Sequence, residues 1–332
     1  RKGLIGPWTH SYPWKANPKP DIDGLKDLVR WWNHWLKGID TGMMDEPMLR
    51  MWMQESISPQ TFYNKRPGRW IAEPTWPSKN IIPTRYFLNA NGTLDKKPKR
   101  TDSASFVSEM LSGSTHGDWC PYGHETEMPS DQREEDGRSL CFETAPLKKA
   151  LEITGAGTVR LSIISDQAQT LLYVRLCDVA PDGASTRVTY GVLNLSHRED
   201  HASPIPLSPN TPYTIDIQLN DIAHHFKEGH RIRLAVANNA WPLVWPSPKQ
   251  TSIDISLGES WMDLPTRAKQ VIDRALPAFG QAVIAENSSR SITEVPYHRS
   301  RKLSRDYATG KTRIEMVKAR GRHTIEDINL TI

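Results

Sequence analysis

Residues 158–196 read TVRLSIISDQAQTLLYVRLCDVAPDGASTRVTYGVLNLS. Three β-branched or alternating apolar runs stand between polar breaks, and the break APDGAS is a turn signal. The same texture extends in both directions. Upstream, RYFLNANGTL (85–94) carries Asn-Gly, the dipeptide favoured in tight hairpin turns. Downstream, YTIDIQLN and RIRLAVAN are further strand-like runs, punctuated by KEGH. Many short strands with almost no helical periodicity predict a mainly β fold, a β-sandwich or jelly roll, over residues 81–265.

The chain on either side has a different character. Eight of the twelve tryptophans fall within the first 76 residues, so residues 1–80 are expected to form a separate unit. There, Leu25, Leu28, Val29, Trp32, Trp35 and Leu36 recur at the spacing of one helical face. This predicts an amphipathic helix over 24–37, capped by Asp23 and ended by Gly38. PMLRMWMQ alternates and reads as a strand. Pro67, Pro74, Pro77 and Pro83 then predict an extended connector without regular structure. From about residue 266, PTRAKQVIDRAL predicts a short helix, and the last 35 residues predict a β-meander turning at 308–310 and 320–321. That stretch holds most of the excess positive charge, read as a solvated basic face.

Composition sets the outer bounds. At 332 residues, with 37% hydrophobic and 24% charged residues, the chain reads as two or three globular domains. No apolar run is long enough to predict a transmembrane helix. A net charge of +4 is too weak and too dispersed to argue for nucleic acid. Cys120, Cys141 and Cys177 form no CxxC pair, which argues against a disulfide framework or a zinc site and points to a reducing, cytoplasmic compartment. No signal peptide, GxGxxG motif or P-loop is visible, and no cofactor is predicted.

The chemistry centres on the first ten residues, RKGLIGPWTH. Leu4 and Ile5 read as a strand, and Pro7-Trp8 as a rigid turn that delivers His10. A loop at the end of a strand is where α/β folds place reactive groups. Acyl transfer also needs a nucleophile, an acid that sets the imidazole tautomer, and oxyanion donors. No Gly-x-Ser-x-Gly elbow occurs in the chain; SGSTHGDW (112–119) has the wrong spacing and reads as a loop. The histidines at 197 and 201, and the pair at 224 and 225, lack metal-site spacing. On residues alone, His10 is either a catalytic base or a structural histidine among aromatics.

The order LIGPWTH, RWWNHWLKG, RPGRWIAEPTWP and then a β-rich domain resembles the cocaine esterase and X-Pro dipeptidyl-peptidase family of serine hydrolases. Gly6, Pro7, Trp8, Thr9 and His10 match the family's Gly-Pro-Trp-(Ser/Thr)-His string, which carries its general base. LCDVAPDG (176–183) and GHRIRL (229–234) match two strings of its β domain. The resemblance implies the last strand and helix of an α/β-hydrolase domain over 1–80, a galactose-binding-like jelly roll over 81–265, and an added extension over 266–332. It implies His10 as a catalytic residue, with serine and aspartate on an N-terminal α/β-hydrolase portion of the same protein. The expected substrate is a small ester, an amide or an Xaa-Pro peptide, and this chain by itself is expected to be inactive. No metal, nucleic acid or membrane partner is implied; a homo-oligomer is compatible. The tryptophan-rich face of helix 24–37 is expected to be covered by the hydrolase portion or another interface, since three enclosed tryptophans are worth on the order of 10 kcal/mol. The competing reading is a non-catalytic jelly-roll module that binds a ligand or partner.

Overall fold

The opening run folds as three strands, Thr158–Ser165, Leu171–Val179 and Ser185–Asn194, in a computed structural model that describes residues 1–99, 102–284 and 291–332. Among the described residues the chain is mainly β, with 40% strand and 10% helix. Residues 285–290 of the predicted extension, and 100–101 of the predicted β unit, lie outside the described residues.

Strand Leu171–Val179 is central, pairing antiparallel with Ser185–Asn194 on one side and Arg231–Ala237 on the other. The turn to the first partner is closed by Gly183, whose φ of 86° suits a residue without a Cβ. Every residue of Leu171–Val179 is buried. Leu172, Val174 and Leu176 enter the main hydrophobic core with Leu161, Ile215 and Leu264. The alternate residues Tyr173, Arg175 and Cys177 face a long loop that covers the other side. There Arg175 is held by Asp136 (3.0 Å), Gln132 Oε1 (3.0 Å) and Ser139 Oγ (2.9 Å). A strand covered on both faces reads as a continuous apolar run, as LLYVRLCDV does. Strand Thr158–Ser165, by contrast, buries every second residue. It pairs with Pro212–Gln218, Ile253–Leu257 and Trp261–Arg267, and closes the core opposite the central strand.

The tryptophan-rich segment joins this ladder without a break. Strand Leu49–Glu55 pairs in parallel with Gly3–Ile5, and Gln54 and Glu55 pair in parallel with His224 and His225 of strand Ile222–Phe226. Helix Gly24–Lys37 has the expected ends: the Asp23 side chain accepts from the Lys26 N–H, and Gly38 is left-handed at φ 67°.

Three expectations fail. The last 35 residues are not one meander, because His298–Arg305 pairs with Thr312–Ala319 while Arg322–Ile325 pairs with Ser291–Val295 and Leu330–Thr331 in a separate sheet. The connector is not irregular, because Gly68–Glu73 forms a strand antiparallel to Leu49–Glu55. Pro67 and Pro74 flank that strand instead of interrupting it. The next strand, Ile81–Asn89, tolerates Pro83 because it lies opposite Pro265, so two residues without N–H groups face each other. The short helix after 266 is only a 3-10 turn, Val271–Arg274, because strand Trp261–Arg267 leaves little chain before Pro277.

Burial decides the cysteine chemistry. It pushes the Cys141 and Cys177 thiols up to about 12, whereas Cys120 is half-buried on the outer loop. At pH 8 an aromatic disulfide reagent is expected to titrate one thiol in the folded chain and three after unfolding, because the thiolate is the reactive form. Rapid reaction of all three without unfolding would contradict this packing.

Candidate functional site

His10 is positioned from its backbone. After strand Gly3–Ile5 the chain turns at Gly6, where a Cβ would lie 2.6 Å from the Trp8 ring, so only glycine allows the indole to fold back. Trp8 Nε1–H donates to the Pro20 carbonyl at 2.6 Å. The Thr9 N–H and hydroxyl both donate to the Asn17 carbonyl, at 3.0 and 2.8 Å. The His10 N–H donates to the Pro121 carbonyl at 2.8 Å. Four hydrogen bonds therefore fix the turn on two sides. The His10 side chain is exposed, and its ring stands edge-on to Tyr122 with centroids 5.1 Å apart. Among the described residues no side chain hydrogen-bonds to the ring nitrogens. The chain presents an anchored, exposed imidazole. Among the described residues no hydroxyl, thiol or carboxylate hydrogen-bonds to that ring.

The segment that carries His10 also carries an exposed apolar helix face. Helix Gly24–Lys37 is attached through its polar edge, where Arg30, braced by Asp27 of the same helix at 3.0 Å, pairs with Glu46 at 2.5 Å. The face predicted from the sequence points away from the chain: Trp32, Trp35 and Leu36 are 52%, 54% and 74% exposed, and Leu25, Leu28 and Val29 are exposed beside them. Clefts of about 430 and 370 Å³ flank strand Gly3–Ile5, the first lined by Ile5, Met51 and Trp52, the second by Trp14, Trp31 and Phe279. An exposed apolar helix face of this kind marks a protein or ligand contact.

A second constellation unites two motifs that stand apart in the sequence. Asp178 of LCDVAPDG accepts from His224 Nε2 at 2.9 Å and His230 Nδ1 at 2.7 Å, and also from the Ser56 hydroxyl. His230 belongs to GHRIRL, and Ser56 directly follows strand Leu49–Glu55. Burial works to raise the Asp178 carboxyl, but the hydrogen bonds from His224, Ser56 and His230 outweigh it and the pKa falls below the ordinary carboxylate range. Burial likewise lowers His224, which donates as a neutral imidazole. The serine hydroxyl is bonded to the aspartate and to the His225 backbone carbonyl (2.9 Å), not to an imidazole ring, so this is no hydrolytic triad. It ties the tryptophan-rich segment to the β core. Asp178→Asn is expected to destabilise the chain by about 2 kcal/mol, because an amide cannot accept on both edges and leaves a buried donor unsatisfied. Urea unfolding checks this; a change under about 0.5 kcal/mol would contradict the role.

Residues 41–276 match the model of the X-Pro dipeptidyl-peptidase C-terminal non-catalytic domain. The chain belongs to that family. It is 29% identical over 264 residues to a protein of Mycobacterium bovis named as a serine esterase, covering 70% of this chain and 40% of the relative. It is 22% identical over 265 residues to the cocaine esterase of Rhodococcus sp. (strain MB1 Bresler), covering 72% and 44%. Among solved structures, an α-amino acid ester hydrolase aligns at 22% identity with a TM-score of 0.58, covering 80% of this chain and 50% of that one. A CocE/NonD family hydrolase of Staphylococcus aureus aligns at 18% with a TM-score of 0.55, covering 73% and 45%. These structural likenesses carry the fold alone, and the chain spans less than half the length of the curated relatives named here. The X-Pro dipeptidyl-peptidase C-terminal domain includes Asp178, His224 and His230, in keeping with a cluster that holds the domain together. His10 and helix Gly24–Lys37 lie ahead of the matched residues.

Proposed function

We propose that this chain is the C-terminal part of a serine hydrolase and supplies its general base, His10, to a preceding α/β-hydrolase portion that carries the serine and the aspartate. The observation that carries the reading is the pairing of an anchored, open imidazole with the exposed apolar face of helix Gly24–Lys37 on one segment. Both features want a partner surface: among the described residues the ring has no acid or nucleophile, and the apolar helix face is exposed. The esterase and peptidase names of the relatives point the same way. In the intact enzyme His10 takes the proton of the serine hydroxyl as it attacks a small ester, an amide or an Xaa-Pro peptide, and returns it to the leaving group.

The test is complementation. The 332-residue chain alone is expected to leave a p-nitrophenyl ester unhydrolysed above background. Co-expression with the upstream part of its open reading frame is expected to give a 1:1 complex with esterase activity. Full activity of the chain by itself would overturn the proposal, as would an upstream sequence without a serine elbow.

A further inference from the structure

The residues that seat His10 are seated in turn by the C-terminal extension. The floor under its ring is the loop of residues 118–127. Gly123, at φ 93°, lies so close to the His10 turn that an added Cβ would stand 3.1 Å from Thr9 Oγ1. The loop is wound around one carboxylate: Glu127 Oε2 accepts the consecutive N–H groups of Tyr122, Gly123 and His124 at 2.7, 2.7 and 2.8 Å. The Asp118 N–H donates to the Glu127 carbonyl at 2.7 Å and closes the loop.

The other face of these two acids meets a hairpin about 180 residues later, His298–Arg305 paired with Thr312–Ala319. Arg299 Nη1 pairs with Glu127 Oε1 and lies 3.2 Å from Asp118 Oδ2. Arg301 Nη2 reaches Asp118 Oδ1 at 2.9 Å and the Gly117 carbonyl at 3.2 Å. Lys318 Nζ lies 2.5 Å from Asp118 Oδ2. Tyr297 stacks on His124 with centroids 4.4 Å apart. Three cations converge on two carboxylates, one of which also cages the backbone next to Tyr122. Charge-assisted hydrogen bonds to a buried carboxylate are also among the stronger contacts a surface hairpin can make.

We infer that Arg299 and Arg301 are positioning residues: through Asp118 and Glu127 they hold the 118–127 loop, and with it the Pro121 carbonyl and the Tyr122 ring, in the place that orients His10 for proton transfer. This rests on His10 being the base. The basic extension is thereby a clasp on the active-site histidine and not only a solvated face.

The test uses the full-length protein with its upstream portion. Arg299→Met/Arg301→Met is expected to lower kcat for a p-nitrophenyl ester about tenfold with KM changed less than twofold, since misorientation of a base slows chemistry without removing a substrate contact. Hydrogen exchange at the Tyr122–Gly123–His124 amides is expected to speed up at least tenfold, and Arg299→Lys/Arg301→Lys to restore most of kcat by restoring the charge. Should the double methionine variant misfold, Lys318→Glu, on an exposed side chain, is expected to give the same pattern at about threefold. Unchanged exchange, unchanged kcat, or a rise in KM with kcat intact each overturns the inference. His10→Ala in the same assay separates the two levels. If it retains turnover, the base assignment falls and the inference with it; if it abolishes turnover while the clasp variants match wild type, only the inference falls.

Discussion

Replacing His10 by alanine in the full-length protein is expected to lower kcat for a small ester by about 10³-fold or more, with KM nearly unchanged. A general base in acyl transfer contributes typically about 10²–10⁴-fold, and its loss is worse where base and nucleophile act as a unit. The residual rate would come from substrate binding and oxyanion stabilisation, which His10 does not supply. Stability is expected to stay within about 0.5 kcal/mol of wild type, because the side chain is exposed and no side chain among the described residues hydrogen-bonds to its ring. That combination separates catalysis from folding. A histidine retained for structure would show the opposite: a lower melting temperature and an intact kcat. Rates within threefold of wild type would remove His10 from the mechanism.

How much of this could be read beforehand differs from residue to residue. The mainly β class and helix Gly24–Lys37 were legible because both rest on local periodicity, and their ends carry local signals such as Asp23 and Gly38. Strand Gly68–Glu73 was hidden by the density of prolines around it, although none lies inside it. The Asp178 cluster was half visible. Its two motifs stand out as strings, but spacing tests the histidine pair at 224 and 225 only for a metal site. A strand reading of IAHHF would have placed the two rings on opposite faces. His224 turns inward to Asp178, while His225 turns to Glu152 at 3.0 Å. The loop that seats His10 left no sequence signal at all. Glu127 works by caging three N–H groups of irregular backbone, and its cation, Arg299, arrives from a hairpin more than 170 residues away. No local pattern encodes a contact of that separation, and composition reads such cations only as a solvated face.

The largest stability effect is expected at Arg267. Its side chain is fully buried, as is that of Glu73, with which its Nε forms an ion pair. The same guanidinium reaches Asp273 Oδ1 and Oδ2 at 2.8 and 2.9 Å and the Ala72 carbonyl at 3.1 Å. One arginine thus joins strand Gly68–Glu73, strand Trp261–Arg267 and the turn Val271–Arg274. Arg267→Met keeps much of the volume but strands the Glu73 carboxylate in the interior, where, among the described residues, Ser78 and Asn80 (2.8 Å) still donate to it. Breaking a buried pair by removing one partner typically costs about 3–5 kcal/mol, because the surviving charge has neither water nor a counter-ion. Against a typical stability of about 5–15 kcal/mol, that is a large share. Arg267→Met/Glu73→Gln removes the stranded charge as well, so it is expected to cost less than the single change; this non-additivity marks direct coupling. Acid adds an independent check. Burial works to raise Asp273, but hydrogen bonds from Arg267 and the Ala72 N–H outweigh it and its folded pKa lies below the ordinary value. The group therefore stabilises the fold above about pH 4 and loses that contribution as pH falls through its folded value. Without Arg267 most of that contribution is already gone, so the deficit of Arg267→Met measured by urea unfolding is expected to shrink below pH 4. A single variant that loses under about 1 kcal/mol at pH 7, or a deficit that grows in acid, would show that the network is solvated and does not hold these three elements together.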